Sequence, residues 1–266
     1  MKDFIIQKNA GLKYLTIPSF TKSGVIHGFS TRKVEGREAS SCVLDTGSGN
    51  QEKEFRAIKN RGKFLGALNL KGEFWSLKQV HGSRIYSVEE IAFSKGDDPL
   101  EGDGLVTGHK GVILTMYSAD CVIIFLFDPV KRVAALGHAG WRGTLEGIGK
   151  ELVKAMAVSY GCRSEDILAG ISPAVGACCY EVGEEVKEKL SEKVKDPYYY
   201  TKPTAGGKWM LDLKLLNVRL LNNAGIREEN VTVSSFCTFC NGDLFFSYRR
   251  DGGFAGRMMS VICLPE

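Results

Sequence analysis

The sequence predicts a single mixed-sheet domain of the α/β or α+β type, and three observations predict it. Strand-like alternation and helix-like 3.6-residue periodicity follow one another irregularly, unlike the strict strand-helix repeat of a doubly wound parallel sheet. Residues 112–136 read as strands folding back through a tight turn, the mark of antiparallel pairing. No repeat, low-complexity tract or linker divides the 266 residues, so residues 1–266 are expected to form one domain. Their composition, 44% apolar and 25% charged, is that of a globular chain able to bury a large core.

Tyr14 to Ile17 and Val25 to Phe29 read as strands, followed by a polar loop from Lys33 to Asn50 and a helix near Glu52 to Leu65. Phe74 to Val80 and Arg84 to Val88 read as strands flanking a turn at His81-Gly82, and Val112 to Tyr117 leads into a hairpin. That hairpin consists of the apolar run Cys121 to Phe127, a turn at Asp128-Pro129-Val130-Lys131 with Pro second, and a return from Arg132 to Leu136. Leu145, Ile148, Leu152, Met156 and Ser159 then share one helical face, with Gly161 as the stop. Ile167 to Ile171 reads as a strand and Val182 to Val194 as a charged amphipathic helix. Asp212 caps a helix carrying Leu213, Leu216 and Leu220 that closes at Gly225. Val231 to Phe236, the stretch around Phe245 to Tyr248, and Met258 to Cys263 form a strand-rich end.

Thirty-five basic against 31 acidic residues give a net charge of +4, spread without basic blocks, so nothing marks nucleic acid as a partner. Met1 to Ala10 has neither the basic start nor the apolar stretch of a signal peptide, and Val122 to Phe127 is too short to span a bilayer. A soluble, cytoplasmic protein without a membrane partner is expected, its oligomeric state left open. Eight cysteines in such a chain favour reduced thiols or metal ligands over a disulfide framework.

Three residues carry the chemistry: His81, Cys121 and His138. If Asp128 pairs with Lys131, seven steps back along each strand set Cys121 opposite His138, with Cβ atoms about 5 Å apart. A slip of one residue would put them on opposite faces. Two imidazoles and one thiolate suit zinc with an open fourth position, and also describe a trigonal copper site. Asp120, beside the thiol, is a candidate for acid–base work or for orienting a ligand, although a strand-start ion pair explains it equally. Arg32, Arg61, Arg142, Arg249, Arg250 and Arg257 stand in turn-like or Gly-bearing contexts, where a planar fork can grip phosphate. Cys237-Thr238-Phe239-Cys240 has no second C-x-x-C to complete a metal site and reads as dispensable for the metal. Cys178 and Cys179 are adjacent, which on an extended chain points them to opposite sides.

The ordered set of motifs resembles one family across nearly the whole chain. The motifs are His27-Gly28-Phe29-Ser30-Thr31-Arg32, Asn60-Arg61, Gln79-Val80-His81-Gly82, Asp103-Gly104, Ala119-Asp120-Cys121 and His138-Ala139-Gly140-Trp141-Arg142-Gly143. Gly170-Ile171-Ser172-Pro173, Cys179-Tyr180-Glu181-Val182 and Ser247-Tyr248-Arg249-Arg250-Asp251-Gly252 complete the set. Together they resemble the laccase-domain proteins, also called polyphenol oxidases or peptidoglycan editing factors and more recently viewed as purine nucleoside phosphorylases. The resemblance implies a mixed α/β sandwich unlike a cupredoxin barrel, and one zinc per chain on His81, Cys121 and His138, with copper as the other metal. It implies phosphorolysis of adenosine, inosine and methylthioadenosine, with adenosine deamination besides, and so nucleoside and phosphate as partners. Of the six arginines, Arg32, Arg61 and Arg249 are those expected at the phosphate, and Asp120 is the expected catalytic carboxylate. Where relatives carry Gly-Gly-Val-Ser after the Thr-Arg, this chain has Lys33-Val34-Glu35-Gly36, which bears on substrate contacts but not on the metal ligands. Two rival readings are a copper-dependent phenol oxidase and a non-enzymatic cell-wall or division factor with a structural metal. Four histidines in all are too few for the several coppers of a true laccase.

Overall fold

The structure is a computed structural model that describes residues 2–34, 43–47, 51–72, 74–91 and 100–266. Its first strands are β1 (Ile5–Asn9), β2 (Leu12–Thr16), β3 (Ile26–Val34), β4 (Phe74–Trp75), β5 (Ile85–Ser87), β6 (Gly104–Thr107) and β7 (Ile113–Ser118). Then come β8 (Val122–Asp128), β9 (Val133–Ala139), β10 (Leu168–Ile171), β11 (Glu181–Val182), β12 (Thr201–Pro203), β13 (Trp209–Leu211), β14 (Val231–Val233) and β15 (Met258–Cys263). The helices are α1 (Pro18–Lys22), α2 (Gln51–Ala67), α3 (Val88–Ile91), α4 (Trp141–Leu145), α5 (Ile148–Tyr160), α6 (Glu184–Lys193), α7 (Leu213–Asn223) and α8 (Tyr248–Asp251).

Two six-stranded mixed sheets, ordered β1-β2-β3-β15-β7-β4 and β14-β10-β8-β9-β6-β5, pack face to face, and a small third sheet runs β11-β13-β12. The burial pattern of β8 shows why its apolar run is unbroken. Ile123, Phe125 and Phe127 pack between the sheets with Phe29, Leu114 and Met116 from the first. Val122, Ile124 and Leu126 pack on the opposite side against Leu152 and Met156 of α5 and Leu221 of α7. The outer face of the first sheet is covered by Phe64 and Leu65 of α2. A strand buried on both faces has no place for polar alternation. The layers are therefore helix, sheet, sheet, helix: the mixed α/β sandwich that the resemblance implied, with no barrel.

Several expected elements are shorter or differently joined. The hairpin closes through a four-residue loop, since Asp128 pairs with Val133 and not with Lys131. Asp128 Oδ1 accepts from the backbone N–H of Val130 and Lys131, which rounds the turn, and Arg132 takes φ 56° to re-enter the strand. His138 consequently faces Ile123, two positions from the expected register. A shift of two keeps every side chain on its face, so Cys121 and His138 still share the space between the sheets. Gly147, at φ 86°, divides the expected single helix into α4 and α5, and Gly161 ends it as anticipated. Beyond Trp75 the stretch to Val80 is loop, and Tyr248 begins a helical turn capped by the Ser247 hydroxyl where a strand was expected. The Lys33 to Asn50 loop falls largely outside the described residues, including residues 35–40 of the stretch 33–40 expected to depart from the family pattern.

Candidate metal centre and cleft

The site lies where the chain crosses from one sheet to the other. Strand β7 belongs to the first sheet and β8 to the second, and Ala119-Asp120-Cys121 joins them. Asp120 makes the crossing with φ 92°, a conformation that costs a non-glycine residue about 1–3 kcal/mol and needs support. Support comes from its own carboxylate. Oδ1 accepts from the Thr238 hydroxyl at 2.5 Å, and Oδ2 accepts from the Ser247 hydroxyl at 3.0 Å and the Arg249 backbone N–H at 2.6 Å. Asp120 thus ties three segments together at the cleft floor.

His138 leaves β9 buried, and His81 sits in the loop after β4 at φ 64°. Asp103, fully buried, orients both. Its carboxylate accepts from the backbone N–H groups of Val80, His81 and Gly82 at 3.2, 3.0 and 2.8 Å, and from His138 Nδ1 at 2.8 Å. With Nδ1 donating there, His138 presents Nε2 to the space beside Cys121. Gly143 lets the His81 loop come close, because a Cβ there would stand 2.5 Å from the Gly82 carbonyl oxygen.

The donor atoms of His81, Cys121 and His138 all lie within 4.8 Å of one another. The His81 and His138 rings meet edge to face at 4.7 Å. Enclosure would raise the Cys121 thiol, but the imidazoles of His138 and His81 draw it down to about 6. Burial would lower His138, but the Cys121 thiolate and the Asp103 carboxylate push it up to about 9. Burial would raise Asp103 as well, yet hydrogen bonds from His138 and the Gly82 N–H outweigh it and hold the carboxyl below its usual range. The site is a thiolate facing two imidazoles, a donor set that fits a borderline-soft divalent cation.

These three residues line a cleft of about 850 Å³. Its walls are rich in rings and guanidinia: Tyr117, Trp141, Tyr180 and Tyr248 with Arg142, Arg249 and Arg257. Arg142 lies 4.3 Å over the Trp141 ring, and Arg249 lies 5.3 Å over Tyr180. Burial and the neighbouring Cys121 thiolate push the Tyr180 phenol up, so it stays protonated.

Residues 26–265 match the family described as multi-copper polyphenol oxidoreductase laccase. The chain belongs to this family. It is 34% identical over 248 residues to the purine nucleoside phosphorylase YlmD of Bacillus subtilis, covering 91% of this chain and 89% of that one. It is 35% identical over 259 residues to a purine nucleoside phosphorylase of Deinococcus radiodurans, covering 96% and 94%. The crystal structure of YlmD from Geobacillus stearothermophilus superposes with a TM-score of 0.88 at 32% identity, covering 99% of this laccase-family chain and all of that one.

Not every residue singled out in the sequence reaches the cleft. Arg249 lines it, whereas Arg32 and Arg61 are not among its lining residues. Arg32 donates to the Gly242 carbonyl at 2.9 Å and stacks over Phe246. Arg61 donates to the Thr46 carbonyl and to Glu54, both at 2.9 Å, and stacks over Tyr117 from behind the wall. Asp103, Trp141 and Tyr180 went unassigned, although each falls within a motif that carries the family resemblance. The C-x-x-C also differs from expectation. Cys237 and Cys240 do have partners, the adjacent Cys178 and Cys179, with all four sulfurs within 4.8 Å of one another.

Proposed function

We propose that this chain is a zinc-dependent purine nucleoside phosphorylase acting on adenosine, inosine and methylthioadenosine, with adenosine deaminase activity besides. One observation carries the reading: a thiolate and two imidazoles converge in a cleft whose walls combine aromatic rings with arginines. His81, Cys121 and His138 would hold the zinc, which when bound supplies positive charge and polarisation at the reacting centre.

The protein's own residues account for the rest. Tyr180, Tyr248 and Trp141 offer flat faces to a purine ring, and Arg249 and Arg142 offer planar donor forks to phosphate, beside Arg257, whose Nη1 donates to the Ala255 and Gly256 carbonyls. In phosphorolysis an oxygen of phosphate bonds to the anomeric carbon as the glycosidic bond breaks, and the leaving purine takes up a proton. Holding the anion in line with that carbon supplies proximity, and the guanidinia offset its charge. Asp120 acts here by positioning, since three donors occupy its carboxylate and through it fix the Arg249 backbone. The shared core between the two sheets supports one catalytic domain over residues 1–266. Seven described cysteines are free thiols, and no described helix is long and apolar enough to cross a membrane; both suit a cytoplasmic enzyme.

Incubation with each of the three nucleosides, with and without phosphate, tests this. Free base and the sugar 1-phosphate (ribose 1-phosphate, or 5-methylthioribose 1-phosphate from methylthioadenosine) are expected only with phosphate, and inosine from adenosine in either condition. Formation of neither base nor inosine by zinc-loaded protein overturns the reading. Copper is the second reading of the metal, because two imidazoles and one thiolate also make a trigonal copper site.

A further inference from the structure

We propose that Cys178, Cys179, Cys237 and Cys240 form a second metal site, a tetrathiolate that binds zinc and staples two loops behind the cleft. The four sulfurs are close enough to share one cation. Cys240 Sγ lies 3.6 Å from Cys178 Sγ and 3.4 Å from Cys179 Sγ, and all four sulfurs are within 4.8 Å of one another. A zinc about 2.3 Å from each of four sulfurs would space them about 3.8 Å apart, whereas a disulfide requires about 2.05 Å. Four mutually close thiols suit one cation better than two bonds.

Local structure explains how adjacent cysteines come to point the same way. Residues 177–179 are a turn rather than extended chain, closed by Cys179 and Tyr180 N–H groups donating to the Gly176 carbonyl. The C-x-x-C lies alongside. Ala174 bridges to Cys237, Thr238 N–H donates to the Ala174 carbonyl, and Gly176 N–H donates to Cys237 Sγ at 3.2 Å. An N–H aimed at a sulfur stabilises a thiolate. Lys214, whose ammonium donates to the carbonyls of Ser234 and Phe236, adds positive charge beside the sulfurs and offsets a tetrathiolate's net negative charge.

The position gives the staple its purpose. The first loop continues into Tyr180, a cleft wall, and the second carries Thr238, whose hydroxyl holds Asp120 at the sheet crossing. With all four positions filled by sulfur the site is closed, so its role is structural, unlike the open set at His81, Cys121 and His138.

The test uses full-length Cys121→Ala protein, in which the mixed-ligand site is disabled and the four cysteines are untouched. After zinc loading and removal of excess, one zinc per chain with an all-sulfur first shell by X-ray absorption is expected. In the wild type two zincs per chain are expected, and Cys237→Ser/Cys240→Ser should lose the all-sulfur one. Unreduced wild-type protein, denatured with chelator, should titrate eight free thiols. Fewer thiols would reveal a disulfide and overturn the proposal. So would a Cys121→Ala protein that holds no zinc, or one whose zinc has nitrogen neighbours.

Discussion

The two cysteine-bearing clusters of this molecule are built alike and disposed differently. Each joins a loop to a distant segment through donor atoms within 4.8 Å. The first mixes one thiolate with two imidazoles and lines a cleft of about 850 Å³, so a cation there would keep a face toward any small molecule that enters. The second is all sulfur, and none of its four residues lines that cleft. The difference teaches that ligand number and access, not ligand identity alone, separate a metal that does chemistry from one that holds loops. Asp103 marks the same division. It orients the first site through His138 and three backbone N–H groups, whereas the second is shaped by its own turn.

The largest expected effect divides the two clusters directly. Cys121→Ala should lower phosphate-dependent nucleoside cleavage by about a thousandfold or more while the fold persists, since a bound metal supplies several kcal/mol of transition-state stabilisation. Cys237→Ser/Cys240→Ser should cost much less, acting only through the placement of Tyr180 and Asp120. Steady-state rates beside circular dichroism check both, and equal losses in the two variants would erase the distinction.

A second contrast sets His138 and His81 against His27, an imidazole with a purely structural place. His27 Nε2 accepts from the Ile17 N–H at 2.7 Å, and its Nδ1 donates to the Val25 carbonyl at 3.0 Å. Burial lowers it from 6.5 to about 4, against the opposing pull of those backbone bonds. A lowered histidine means that the unfolded chain binds the proton more readily. Its contribution is complete above about pH 6.5 and is lost as pH falls toward 4, up to about 3 kcal/mol in all. Urea unfolding at pH 7 and pH 5 should show that loss in the wild type and a flatter profile in His27→Gln. Identical pH dependence in both would remove His27 from the account.

The smallest effect concerns Asp103→Asn, which cannot accept from three N–H groups and His138 as a carboxylate does. Metal affinity at the first site should weaken about 10–100-fold, measured by chelator competition, with the tetrathiolate metal unmoved.

Much of this was legible where the determinants are local. Gly161 and Gly225 mark helix ends by positive φ, and Asp212 caps α7 by accepting from the Leu215 N–H at 2.9 Å. The convergence of Cys121 with His138 survived an error of two in the hairpin register because face depends only on parity. Sheet order was not legible, since β15 from the chain's end inserts between β3 and β7. Nor were the partners of Cys237 and Cys240. They lie about sixty residues away on a turn that local pattern does not reveal, and the rule that adjacent cysteines point apart holds only on extended chain. Arg32 and Arg61 were expected at the phosphate, yet neither is among the residues lining the cleft: Arg32 donates to the Gly242 carbonyl, and Arg61 to the Thr46 carbonyl and to Glu54.

The central claim is that the cation held by His81, Cys121 and His138 drives phosphorolysis, and product stoichiometry tests it most directly. Zinc-loaded wild type is given adenosine with and without phosphate, and adenine, ribose 1-phosphate and dissolved oxygen are followed together. The account predicts ribose 1-phosphate equal to the sum of adenine and hypoxanthine, only with phosphate, with no oxygen consumed and with activity proportional to zinc at the first site. Adenine release that ignores phosphate, or activity that persists when that site is empty, would contradict it.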